Sequence, residues 1–211
     1  MRREHLPSNL LPAALLAVLV LAATGVLIAR SGNSSGPAPA TGTSASGGFD
    51  GAPLPGTPAP GFTLTDQSGR RVSLGHYRGQ VVVLTFLYPG CGATCTVIAQ
   101  QIRGALDELS PPVPVLIASA DPAADTAGAA QRFLASVSMT GRALYLTGPL
   151  SSMRPIWRAY RIKPASAGAA LFDSYAFVML LDRAGRERVL YETEQLTPES
   201  LAHDIRRLGG G

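Results

Sequence analysis

Residues 81–95 read VVVLTFLYPGCGATC. Val81 to Phe86 form a mostly apolar run rich in β-branched residues, the pattern of a strand covered on both faces. Two cysteines follow, Cys91 and Cys95. Thr96 then reads as a helix N-cap, and Ile98, Ile102, Ala105, Leu106 and Leu109 recur at helical spacing, so an amphipathic helix covers one face of the sheet. Val113 to Ala118 is a second buried run, and two such strands joined through a helix imply a right-handed parallel βαβ unit. The cysteines therefore stand outside the carboxyl edge of a sheet, where open α/β folds place their ligands.

Working outward, residues 62–65 and 71–74 flank a turn at Asp66 to Gly69 and read as an edge hairpin. A helix over about 126–137 turns Ala130, Phe133, Leu134 and Val137 inward, and a third strand follows at 143–146. Ser152 reads as the cap of a further helix, with Pro155 in its first turn and Ile156, Trp157 and Tyr160 facing the core. Residues 175–182 and 187–192 form a hairpin around Gly185, and Thr197 and Pro198 open the last helix. The order is that of an α/β sandwich: a central mixed β-sheet flanked by helices.

The 211 residues suffice for one domain beyond the amino-terminal segments. The formal charge is +4, and the cations, all arginine but Lys163, are scattered without a run, so a nucleic-acid partner is not indicated. Residues 10–29 carry no charge and at 1.5 Å per residue cover the ~30 Å of a bilayer core. With Arg2 and Arg3 ahead and only Arg30 close behind, residues 1–30 read as a cytoplasmic tip and single transmembrane anchor, the remainder lying on the extracytoplasmic side of a bacterial cytoplasmic membrane. The alternative is a cleaved signal peptide and a secreted domain. Residues 31–60, almost wholly Ser, Gly, Pro, Ala and Thr, read as a disordered linker, and residues 61–209 as the folded domain.

Two cysteines exclude a disulfide-rich scaffold and a four-cysteine zinc site. Cβ atoms four apart on a regular helix lie about 5–6 Å apart, too far for a disulfide, so Cys91 must sit just ahead of the helix if the pair is to close. Near that helix start the sulfurs can form a disulfide or, reduced, grip a soft ion such as Cu(I). A purely structural disulfide is the plain alternative. Both sulfurs are expected to be reachable from solvent, with Cys91 the more exposed, the attacking thiol, and Cys95 resolving, while Tyr88 and Pro89 flank a docking surface. His5, His76 and His203 all lie too far away to complete the site, and Met139, Met153 and Met179 read as core or uncommitted sulfurs. Asp121 reads as starting a turn and Asp125 as capping the next helix, with a role beside the site as the alternative.

The segment FTLTDQSGR at 62–70, the C-x-x-x-C pair after a strand, Asp121-Pro122 with Asp125-Thr126, Leu146-Thr147-Gly148, and LLDRAGR at 180–186 together resemble the Sco (SenC) family of thioredoxin-like copper chaperones and cytochrome c oxidase assembly proteins. The resemblance implies a thioredoxin-like fold, copper carried by Cys91 and Cys95, and a partner that is a cytochrome c oxidase subunit or another copper or thiol assembly protein. It also implies a third ligand, a histidine, at the position held here by Ser174, after an aspartate matched by Asp173. Asp121, Asp125 and Asp173 are then expected around the ligands. With serine in place of imidazole, Cu(I) is expected over Cu(II). Three functions stay open: a Cu(I) carrier, a thiol–disulfide oxidoreductase, and a redox-inactive assembly scaffold.

Overall fold

The computed structural model describes residues 48–210. Within them the strands are β1 (Ala52–Pro53), β2 (Thr63–Asp66), β3 (Arg71–Ser73), β4 (Val82–Leu87), β5 (Val115–Ser119), β6 (Leu144–Thr147), β7 (Phe177–Leu181) and β8 (Glu187–Glu192). The helices are α1 (Ala93–Asp107), α2 (Ala127–Ser136), α3 (Leu150–Ala159), α4 (Ala169–Asp173) and α5 (Pro198–Gly209). The strands make one sheet in the order β1-β8-β7-β4-β5-β6-β2-β3. β4 runs parallel to β5, with Val83 opposite Val115 and Leu87 opposite Ser119, and antiparallel to β7.

The alternation along β4 builds two cores. Val83 and Leu87 join a cluster with Ile98 and Ile102 of α1, Phe133 of α2 and Leu201 and Ile205 of α5. Val82, Leu84 and Phe86 join another with Met153, Ile156 and Trp157 of α3 and Leu64 of the edge hairpin. A strand buried on both faces is apolar almost throughout, and the one polar residue here, Thr85, is satisfied by donating its hydroxyl to the Phe177 carbonyl at 2.7 Å. α5 begins as its sequence predicts, Thr197 Oγ1 accepting from the Ser200 N–H at 3.2 Å with Pro198 in the first turn.

Several local expectations give way. α1 starts three residues before Thr96, with Gly92 at its N-cap, and the Thr96 hydroxyl instead donates to the Gly92 carbonyl at 2.9 Å. α3 starts after Pro149, ahead of Ser152, which puts Pro155 inside the helix rather than in its first turn. The proline ring removes one ladder donor there, and burial of Met153, Ile156 and Trp157 offsets the loss. The boundary at residue 61 is also too late: β1 pairs with β8, Ala52 opposite Leu190, so part of the segment read as linker belongs to the sheet. Its backbone is held by one side chain, since the Asp204 carboxylate accepts from the Asp50 and Gly51 N–H groups at 3.0 Å. The rest of that linker, the span at 10–29 and His5 lie outside the described residues. Among the described residues no helix is long and apolar enough to cross a membrane.

Candidate redox and metal-ligating site

β4 ends at Leu87, and a tight turn, in which the Cys91 N–H donates to the Tyr88 carbonyl at 3.1 Å, carries the chain into α1. Gly92 has φ 68° and ψ −131°, a conformation that side chains resist, so glycine here is a backbone requirement. Cys91 thus precedes the helix and Cys95 lies in its first turn. The two are joined as a disulfide with Cα atoms 5.8 Å apart, within the ordinary range.

The two sulfurs are not equivalent. Cys91 is partly buried against the edge of the first core, while Cys95 is 1% exposed and belongs to that core. The expectation that both are open to solvent therefore holds for Cys91 only. Cys95 points inward because it shares a helix face with Ile98, Ala99 and Ile102, spacings that put it on the buried stripe. Tyr88 is also buried, its ring set edge-on to Phe172 with centroids 4.9 Å apart, so it supports the turn and does not present a docking surface. Burial, with Asp173 and Asp121 nearby, pushes its hydroxyl above the usual tyrosine range. A shallow groove of about 540 Å³, lined by Pro89, Thr96, Val97 and Phe133, opens beside the loop.

Ser174 caps the short α4 and its hydroxyl donates to the Ala170 carbonyl at 2.9 Å. It is turned into its own helix. Among the described residues, the one group of three metal-ligating side chains is Asp50, His203 and Asp204, and it includes neither cysteine. His203 Nδ1 lies 3.0 Å from Asp204 and 3.3 Å from Asp50. α5 meets α1 at Gly104, where Pro198 packs closely, nine residues or about 13 Å of helix beyond Cys95. His76 lies in the turn between β3 and β4, at the amino end of the central strand. Met139 and Met153 are fully buried and Met179 is 5% exposed, all three within the cores.

Asp121 starts a turn through its carbonyl, which accepts from the Ala124 and Asp125 N–H groups at 3.1 Å. Asp125 caps nothing; Thr126 caps α2, accepting from the Ala129 N–H at 3.1 Å. The Asp125 carboxyl is 6% exposed and accepts from the Ser119 hydroxyl at 2.6 Å and from the Tyr145 hydroxyl. Burial drives its pKa up to about 6, against the pull of those two hydrogen bonds. This network is tied to the cysteine loop, since Ala120 donates to the Leu87 carbonyl at 2.9 Å and Tyr145 Oη lies 3.0 Å from that oxygen. Ser119 and Tyr145 were invisible as partners in the sequence; the only signal was Ser119, a lone hydroxyl closing a buried run.

A mixed sheet with a cysteine pair at the junction of its central strand and the following helix defines a thioredoxin-like protein. The profile of the SCO1/SenC family matches residues 54–209, and the chain belongs to that family. No curated protein sequence matches it. Among solved structures, apo Sco1 from Thermus thermophilus is 21% identical and superposes with a TM-score of 0.62, covering 76% of this chain and 96% of that one. Copper-bound ScoI from Bradyrhizobium japonicum is 23% identical with a TM-score of 0.56, covering 72% and 99%. BsSco, described as a Sco-family cytochrome c oxidase assembly protein with a disulfide switch, is 20% identical with a TM-score of 0.62, covering 76% and 97%. At these identities the likeness is one of fold.

Proposed function

We propose that this chain is a membrane-tethered, exported Sco-like protein whose Cys91–Cys95 pair works as a dithiol in building the copper site of cytochrome c oxidase. The observation that carries the reading is the unequal pair: a partly exposed sulfur ahead of a helix, closed onto a buried one in its first turn, with no imidazole grouped with them among the described residues. That asymmetry suits thiol exchange. The reduced Cys91 thiolate attacks one sulfur of a partner's disulfide, breaking that bond and releasing a partner thiolate that takes a proton. Cys95 then attacks the Cys91 sulfur, forming the intramolecular disulfide and releasing the second partner thiol. Two electrons and two protons pass to the partner.

The same sulfurs, when reduced, favour a second reading, Cu(I) as cargo. Two thiolates fit a soft monovalent ion, and the Ser174 hydroxyl, bonded within its own helix, adds no ligand for Cu(II). The disulfide and the copper complex exclude one another because each needs both sulfurs. Export and anchoring through residues 10–29 rest on the sequence and belong to the same reading.

The test is a paired titration of the reduced full-length protein with Cu(I) and Cu(II) under competing chelators, alongside its thiol-exchange kinetics. A one-to-one Cu(I) complex lost in Cys91→Ser supports the carrier reading; binding that ignores the cysteines rejects it. A reduction potential below about −300 mV with slow exchange rejects the dithiol and leaves a structural bond.

A further inference from the structure

Resting on the reading of Cys91 as the exchanging sulfur, we propose that the cationic groove formed by α3 and the loop behind it is the docking site for an acidic segment of the protein partner. The groove, about 900 Å³ and open, is lined by Arg154, Arg158, Arg161 and Lys163, with Trp157 and Tyr175 between them. No acidic residue lines it. Five arginines elsewhere, Arg70, Arg103, Arg142, Arg188 and Arg206, are ion-paired to carboxylates. These four cations are exposed and none has a carboxylate partner among the described residues; Lys163 lies over the Tyr175 ring at 5.6 Å.

Position links the groove to the disulfide. Ala165, two residues past Lys163, donates to the Ala120 carbonyl beyond β5, and Phe172, three residues before Tyr175, packs on Tyr88 of the cysteine turn. Groove and Cys91 thus share the carboxyl edge of the sheet. The described chain enters elsewhere: Gly48 abuts Arg207 and Asp50 is held by Asp204, on α5, whose last turn reaches Glu108 at the far end of α1. The first described residues therefore lie away from the groove, and an uncompensated cationic lining with aromatic rings between the charges suits an acidic protein segment.

Backbone strain adds a second observation. Arg161 has φ 57°, one of two non-glycine residues with positive φ among those described. A helix end in this conformation ordinarily takes glycine or asparagine. Arginine there keeps a cation at the groove's rim where the fold alone favours a smaller residue. Arg154 and Arg158, one turn apart, extend the charge into a stripe suited to several carboxylates in a row rather than a single anion.

The test uses the full-length protein and the peptide Glu-Glu-Glu-Cys-Glu-Glu-Glu, its lysine counterpart, and a serine version of the acidic one. Trp157, the only tryptophan, lines the groove and reports binding of the serine peptide by its emission. The acidic thiol should reduce the Cys91–Cys95 disulfide about tenfold faster than the lysine peptide at low salt, with the ratio falling towards one at about 0.5 M. Arg158→Glu with Arg161→Glu should abolish the preference and the emission change while leaving reduction by dithiothreitol unchanged. Arg161→Gly, which relieves the strained backbone, should weaken both without loss of stability. Equal rates for the two peptides, or peptide binding unaffected by these substitutions, would overturn the groove. So would variant-sensitive binding to phosphatidylglycerol vesicles without binding of the acidic peptide. Failure of dithiothreitol itself to reduce the disulfide strikes the redox reading instead, and Trp157 emission still decides the groove.

Discussion

At the carboxyl edge of the sheet Cys91 and Cys95 meet with no third metal-ligating side chain grouped with them among the described residues, whereas on α5 His203 meets Asp50 and Asp204 within bonding range. By residue type the second corner looks the better metal site. Its buried member is already occupied: the Asp204 carboxylate accepts the Asp50 and Gly51 N–H groups and the Tyr191 hydroxyl at 2.5 Å. Burial first, then the hydrogen bond to Asp204 and that carboxylate's charge, push the Tyr191 hydroxyl well above the usual range, because its ionisation would set two buried negative charges together. The corner pins the entering chain. The cysteine corner is closed only by the disulfide between its own two sulfurs, a bond that an external thiol can open by exchange. Donor type marks a candidate; spare bonding capacity separates chemistry from scaffolding.

The largest expected break in this contrast is Asp204→Ala. It strands two backbone donors and a buried hydroxyl and should cost about 3 kcal/mol, read as a lower midpoint in urea, with Cu(I) binding by the reduced cysteines unchanged. A cost under about 0.5 kcal/mol would show that the corner does not anchor the chain.

Asp125 probes the network beside the cysteine loop. Its folded pKa of about 6 lies above the ordinary 3.8, so the folded state holds more protons than the unfolded one between those values. Stability from this group is therefore fully present below about pH 4 and lost as pH rises through about 6. A rise of about two units corresponds to at most about 3 kcal/mol, lessened by screening. Asp125→Asn should flatten that slope between about pH 4 and 7 in denaturation midpoints, and a slope equal to the parent's would sink the assignment. Asp66 moves the other way. Burial raises it, but bonds from Ser68 and Arg70 outweigh that and hold it at about 2, so its contribution disappears only as pH falls below about 4 towards 2.

Ser174→His sharpens the other half of the contrast. If Ser174 stands where a third ligand belongs, the reduced variant should gain a thiolate-to-Cu(II) absorption band and at least about tenfold in Cu(II) affinity, or 1.4 kcal/mol. No gain would show that the position does not face the sulfurs. The smallest effect is expected from His203→Ala, which removes a half-exposed ring from two carboxylates and should shift stability by about 1 kcal/mol or less.

Residues 81–95 carried most of the fold: the apolar run is β4, and the glycine turn places Cys91 ahead of the helix, as closure of the pair demands. Helical periodicity also contained the burial of Cys95, which shares its face with Ile98 and Ile102, although exposure had been expected for both sulfurs. Caps were less legible. Thr96, Ser152 and Asp125 all have capping side chains, yet Gly92, Pro149 and Thr126 hold the cap positions, because a helix starts where packing begins and any nearby polar residue fits the local pattern.

The sequence alone determined the central strand, the helix after it and the family, since each depends on residues within one turn or one pleat of another. Only the tertiary structure decided that Asp125 lies under Tyr145, that Asp204 holds the chain at Asp50, and that Arg154, Arg158, Arg161 and Lys163 share a groove no carboxylate enters. These are relations across the fold, set by which surfaces close on one another, and spacing along a chain carries no record of them.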